Sequence, residues 1–238
     1  MNYSTSHASD PRLQAWRVTV AFALYTALIT ALIVQAADPD PLQDFCVADF
    51  SPNAPRVNGY PCKARKNVTS KDFLFTGFRK PGDVNVSGTN SFPTFGDVHQ
   101  YPALNTLGIS HVRLDFGVGG VIPPHTHPLA TETLFVVKGS IYTGFISFDN
   151  VLYAEVLQTG DIYIFPKGTV HFQINVGKGP AVTFNSLNSQ FPGFLITANQ
   201  LLETQIPAAV LEASLGINAT NLQFLQAAAP PFWSLPAP

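Results

Sequence analysis

Two stretches, "VIPPHTHPLATETLFVV" (121–137) and "GTVHFQINV" (168–176), carry side chains able to hold a metal ion. His125 and His127 stand one residue apart, and on a strand residues i and i+2 point to one face, so their imidazoles converge. Glu132 shares a face with Leu134 and Val136, the face that enters a core. A buried, ionised carboxylate costs several kcal/mol unless something positive meets it. No Lys or Arg lies nearby on that face in the sequence, and a metal cation supplies the missing charge. Beyond the turn Pro166-Lys167-Gly168, His171 opens a polar set, His171, Gln173 and Asn175, opposed by Val170, Phe172 and Ile174. Three imidazoles and one carboxylate suit a divalent first-row metal with coordination positions left open for chemistry. Gln173, on the face of His171, is placed to orient a water at that metal. His99 falls in a loop and His111 has the opposite parity from Val112, Leu114 and Phe116, so neither joins the set.

The segments that position these residues read as strands. From 104 to 190 short runs such as "HVRLDFGV", "TETLFVVKGSIYTGFISF", "DIYIFP" and "AVTFNSL" alternate with period two and are broken by Gly and Pro. That pattern predicts an all-β, antiparallel sandwich or barrel. Residues 37–103 read as an irregular arm leading into the first barrel strands, with "DFLFTGF" as its apolar anchor. Residues 104–200 form the barrel core, and extended structure is expected from about Phe73 to Ile196. Two short helices are expected over 201–228, with Pro207 in a first turn and Thr220 and Gln223 at capping-box spacing, followed by a proline-rich tail at 229–238. The apolar run "IPAAVLEASLGI" is too hydrophobic to face water and is expected to pack on a neighbouring subunit.

With 46% hydrophobic and 12% charged residues among 238, the chain is long and apolar enough for one domain with a sizeable core. A net charge of −2, with scattered basic residues, offers no footprint for nucleic acid. Residues 1–36 read as a signal peptide: Arg12 and Arg17 precede the apolar run Val18 to Val34, and the small residues Val34 and Ala36 place cleavage before Ala37. A secreted chain without a membrane segment after cleavage is the expectation. Its two cysteines, Cys46 and Cys62, then pair as a disulfide. Sequons at Asn67, Asn85 and Asn218 lie in polar stretches suited to glycans.

The stretch Gly119 to Gly139 matches the first cupin motif, G-x5-H-x-H-x4-E-x6-G, and Gly160 to Asn175 matches the second, G-x5-P-x-G-x2-H-x3-N. "DPDPLQDFCVAD", "CKARKNVTSKDFLF" and "NTLGIS" further resemble the germin-like proteins of plants, a likeness that spans roughly Asp38 to Leu201. The resemblance implies a single cupin jelly-roll barrel with a short C-terminal helical segment. It implies manganese at His125, His127, Glu132 and His171, an address in the apoplast or cell wall, and a hexamer built as a trimer of dimers. Ligand type alone does not choose manganese over zinc, iron or nickel.

Oxalate-degrading germins, by the same resemblance, carry asparagine at two pocket positions that align here with Val112 and Ile122. Neither hydrocarbon side chain can bond a carboxylate. Losing two hydrogen bonds to a charged group costs roughly 3–6 kcal/mol, or about 10²–10⁴ in binding or rate. Superoxide, a small anion, needs an accessible redox metal and a proton source rather than a two-ended clamp. Superoxide dismutation to hydrogen peroxide is the expected activity, as in many germin-like proteins. Oxalate oxidation and a non-catalytic binding or structural role in the wall are the alternatives.

Overall fold

The computed structural model describes Trp16, residues 19–22, 45–51, 53 and 59–228. The chain divides into two compact units, Met1–Pro39 and Asp40–Pro238. In the first, Trp16 and residues 19–22 are helical; the rest of the leader reading, and the tail at 229–238, lie outside the described residues. No helix among the described residues is long and apolar enough to cross a membrane.

The second unit is a jelly-roll of two five-stranded antiparallel sheets. One has the order β1 (Ser91–Gly96), β2 (Ser110–Phe116), β9 (Ala181–Leu187), β4 (Glu132–Lys138), β7 (Ile162–Phe165). The other runs β10 (Leu195–Ile196), β3 (Val121–Thr126), β8 (Val170–Asn175), β5 (Ser140–Ile146), β6 (Leu152–Gln158). Alternation along the strands sends Val112, Leu114, Phe116, Leu134, Val136 and Ile141 into a common core between the sheets.

One irregularity sets the interior of β3. Ile122 pairs with Gln173 and His125 with His171, so three steps on β3 match two on β8. Pro123 and Pro124, which have no N–H to give to a ladder, occupy the slip. The bulge reverses strand parity, and Ile122, His125 and His127 are therefore all buried. Gly168, at φ 76°, makes the tight turn between β7 and β8, and its N–H donates to the His127 carbonyl at 3.2 Å.

The arm is less extended than its sequence suggests. Between Arg65 and Val86 it forms four short 3-10 turns instead of barrel strands, and the first strand begins at Ser91, well beyond Phe73. Local caps favour these turns: Asp72 Oδ2 accepts the Thr69 N–H at 2.7 Å and Asp83 Oδ1 the Asn85 N–H at 3.0 Å. Of "DFLFTGF", Phe75 and Phe78 are the anchors, their rings 4.7 Å apart, with Phe78 set edge-on against Phe184 at 5.3 Å; Phe73 and Leu74 are exposed. Cys46 and Cys62 form a disulfide, beside an isolated bridge between Ala48 and Cys62.

Among the described residues three helices, not two, follow the barrel: α1 (Thr197–Leu202), α2 (Ala208–Leu215) and α3 (Ala219–Ala228). Pro207 precedes α2, which ends at Gly216 in the left-handed conformation. Asn218, rather than Thr220, caps α3 by accepting the Asn221 N–H at 3.0 Å, because the helix starts two residues earlier than the capping-box spacing suggests. Leu211 and Leu222 are buried, while Val210 and Phe224 are 52% and 70% exposed.

Candidate metal centre

His125, His127, Glu132 and His171 are all buried, and one ligand atom from each lies within 4.8 Å of the others. β3 supplies His125, with His127 just past its end; β4 begins with Glu132 and β8 carries His171. The two sheets thus contribute opposite walls of one site. His111 is on the outer face of its sheet, bonded to Ser186 Oγ at 3.0 Å and stacked on Phe184, and burial pushes its imidazole below the usual range. His99 is in a loop away from the cluster, hydrogen-bonded to Tyr60 and Asp97.

Each histidine of the cluster is oriented by a backbone carbonyl. Nδ1 of His125 donates to Pro123 O at 2.8 Å, Nδ1 of His171 to Thr169 O at 2.9 Å, and Nδ1 of His127 to Gly193 O. A carbonyl can only accept, so the proton of each neutral ring is on Nδ1 and the Nε2 lone pair is left to coordinate. Burial drives the His125 imidazole well below its ordinary range, with His171 and His127 adding to the effect, which keeps it in the neutral, ligating form. Burial pushes the Glu132 carboxyl up; positive charge on the side of His127 and His171 reverses this and holds the group well below the usual carboxylate range, and with both rings neutral that charge has to come from a cation.

The donor set fits a divalent cation. Glu132 Oε2 lies 3.0 Å from His127 Nε2 and 3.1 Å from His171 Nε2. Adjacent donors about 2.1 Å from one octahedral cation are about 3.0 Å apart. With Nδ1–H already spent on carbonyls, neutral rings would aim lone pairs at a carboxylate oxygen, a repulsive arrangement that a shared cation turns attractive.

The surroundings include residues that strand patterning did not single out. Asn185 on β9 donates through Nδ2 to Glu132 Oε1, the oxygen that faces away from the histidines. Phe165 stacks on His171 with centroids 4.3 Å apart, and Phe194 lies 4.8 Å from the His125 ring. Their aromatic character was the one signal available, and it reads equally well as core. Gln173 is fully buried, in register with Ile122 and Thr143, and neither of its amide atoms has a hydrogen-bond partner among the described residues. Asn175 instead ties two loops together, donating to Gly117 O and Gly179 O at 2.8 Å each. Val112 and Ile122 are 5% and 1% exposed and belong to the apolar core. Asn67, Asn85 and Asn218 are all exposed; Asn85 Nδ2 donates to Asp83 Oδ1 at 2.9 Å.

The cupin family matches residues 76–223. A putative germin-like protein of subfamily 1, member 12, from Arabidopsis thaliana is 47% identical over 193 residues, covering 77% of this chain and 86% of the relative. Germin-like protein 1-1 of Oryza sativa subsp. japonica is 41% identical over 219 residues, covering 91% and 98%. Among solved structures, an oxalate oxidase superposes with a TM-score of 0.77 at 40% identity, over 80% of this chain and 97% of its own. Peruvianin-I, described as a cysteine peptidase from Thevetia peruviana latex, gives 0.64 at 43% identity over 68% and 98%. Both cysteines of the present chain are in the disulfide, so a thiol nucleophile is absent here. Barrel, donor set and extended sequence similarity agree, and the chain belongs to the germin-like proteins of the cupin family.

Proposed function

We propose that this germin-like protein binds manganese through His125, His127, Glu132 and His171 and dismutes superoxide to hydrogen peroxide. The observation that carries this reading is a buried, metal-ready donor set together with hydrocarbon at Val112 and Ile122, buried residues in register with Asn185 and Gln173. Manganese, when bound, supplies one-electron redox chemistry at neutral pH. The residues do the rest. Three neutral imidazoles and one carboxylate leave a divalent ion with a net charge near +1, which draws a small anion inward. Gln173, with both amide atoms unspent, holds a water that delivers protons to the product. Phe165 and Phe194 restrict the space beside the histidines and favour a small substrate.

Oxalate oxidase is the second reading, favoured by the solved oxalate oxidase at 40% identity. It is the weaker one, because Val112 and Ile122 stand where the oxalate-degrading germins are expected to carry asparagine. The location and assembly follow the family reading: a chain cleaved before Ala37, secreted to the cell wall, glycosylated at Asn67, Asn85 and Asn218, and assembled into a hexamer through its C-terminal helices. The Cys46–Cys62 disulfide and the exposed Val210 and Phe224 support secretion and association.

Metal analysis of protein collected from culture medium, run beside superoxide and oxalate assays, tests the proposal. Manganese with superoxide activity and little peroxide release from oxalate is the expected result. Brisk oxalate oxidation by the manganese-loaded chain would favour the second reading, and full loading without either activity would favour a binding or structural role.

A further inference from the structure

Away from the metal centre, three side chains form a hydrogen-bonded line. Tyr60, in the arm just before Cys62, places its hydroxyl 2.7 Å from His99 Nε2. His99 Nδ1 is 3.1 Å from Asp97 Oδ1, and the same oxygen accepts the His99 backbone N–H at 2.8 Å. An ionised carboxylate only accepts, so the imidazole proton is on Nδ1 and the Nε2 lone pair receives the Tyr60 O–H. The Asp97 side chain is buried, and among the described residues its Oδ2 lacks a partner and no Lys or Arg pairs with it. The His99 ring is shielded by Phe191, edge-on at 4.9 Å, and by Phe50, parallel at 6.5 Å.

This arrangement differs from that of other tyrosines in the barrel unit. Tyr101 donates to Phe73 O at 2.8 Å and Tyr163 to Tyr153 O at 3.1 Å. A peptide carbonyl can accept a hydrogen bond but cannot keep a proton at neutral pH. An imidazole can, and the imidazolium so formed would face the buried Asp97 carboxylate, which has no cationic partner among the described residues.

We propose that Tyr60 is a one-electron oxidation site, with His99 as its proton acceptor and Asp97 as the residue that positions and charges His99. The co-reactant is a phenoxyl radical, the one-electron oxidant derived from a small phenol. It takes one electron from Tyr60 while the phenolic proton crosses to His99, leaving a neutral Tyr60 radical and an imidazolium. His99 then releases its proton to solvent, and the reduced phenoxyl takes up one from solvent and leaves as a phenol. A second phenoxyl radical joins the Tyr60 ring at the ortho carbon; one C–C bond forms, and the two ring hydrogens shift to oxygen to restore both phenols. The outcome is covalent attachment of phenolics to the arm at one residue, a modification independent of the metal centre.

The test exposes the metal-loaded, disulfide-intact protein to phenoxyl radicals generated from biotin-tyramide by a peroxidase and peroxide, and maps adducts by peptide mass spectrometry. Tyr153, which exposes 50% of its surface, is the internal standard for reactivity set by exposure alone. Tyr60 is expected to label about tenfold more than Tyr153, and His99→Phe to lower Tyr60 labelling about tenfold with Tyr153 unchanged. If His99→Phe merely loosened the arm, Tyr60 would become more exposed and its labelling would rise. A rise or no change in that variant, or Tyr60 labelling no greater than Tyr153 in the unaltered protein, would overturn the proposal.

Discussion

Asn185 and Glu132 are joined across adjacent strands: the Asn185 Nδ2 donates to Glu132 Oε1, leaving Oε2 to face His127 and His171. The carboxylate is thus held from behind, with only one oxygen committed to the histidine cluster. Asn185→Leu would leave Oε1 buried without a donor and free the side chain to rotate. We expect manganese affinity to fall by about 10–100-fold, the usual effect of removing a group that orients a ligand. Competition with a chelator of known affinity measures this, and a change below about twofold would mean that Asn185 does not position the carboxylate.

His127 and His111 separate the inside of the barrel from its outer face. His127→Ala is expected to empty the site, since it removes a donor and leaves Glu132 with one fewer partner. His111→Ala should leave the metal content unchanged, because its imidazole bonds Ser186 on the opposite face. Metal analysis of the two purified variants distinguishes them, and equal loss in both would contradict the assignment of faces.

Much of this site was legible from residue type and spacing. A carboxylate on the same face as Leu134 and Val136 demands a positive partner, and His171 has the parity of Gln173 and Asn175, all of them buried. The position of Ile122 was not legible from parity alone. It is even-numbered where His125 and His127 are odd, and the bulge at Pro123 and Pro124 that brings all three inside depends on pairing with β8. Asn185 was hidden for a similar reason: its bond to Glu132 joins residues 53 apart, and an asparagine in an alternating strand carries no local sign of its partner. Helix α1, only six residues long, has too few turns to show a helical period.

Val112→Asn with Ile122→Asn tests the substrate reading. Both positions are in the apolar core, so each amide that finds no partner should cost about 1–3 kcal/mol of stability. Against that cost, oxalate-dependent peroxide release is expected to rise by at least about tenfold, toward the ~10²–10⁴ that two bonds to a carboxylate are worth. Unchanged oxalate turnover in a folded, manganese-loaded double variant would show that these positions do not decide substrate choice.

Phe224, 70% exposed on α3, reports on assembly. The unaltered protein should elute as an oligomer, and Phe224→Asp should shift it to a smaller species while the barrel retains its metal, because a charge within an apolar contact is costly to desolvate. Light scattering coupled to gel filtration reads the mass, corrected for glycan. A monomer at micromolar concentration in the unaltered protein would contradict the assembly reading.

The most direct measurement of the central claim is the rate of superoxide decay as manganese occupancy is varied from empty to one ion per chain, with free manganese removed at each point. The account predicts a rate that rises in proportion to occupancy, reaches its limit at one ion per chain, and vanishes in His127→Ala. A rate that stays at the level of free manganese when the site is full would contradict it.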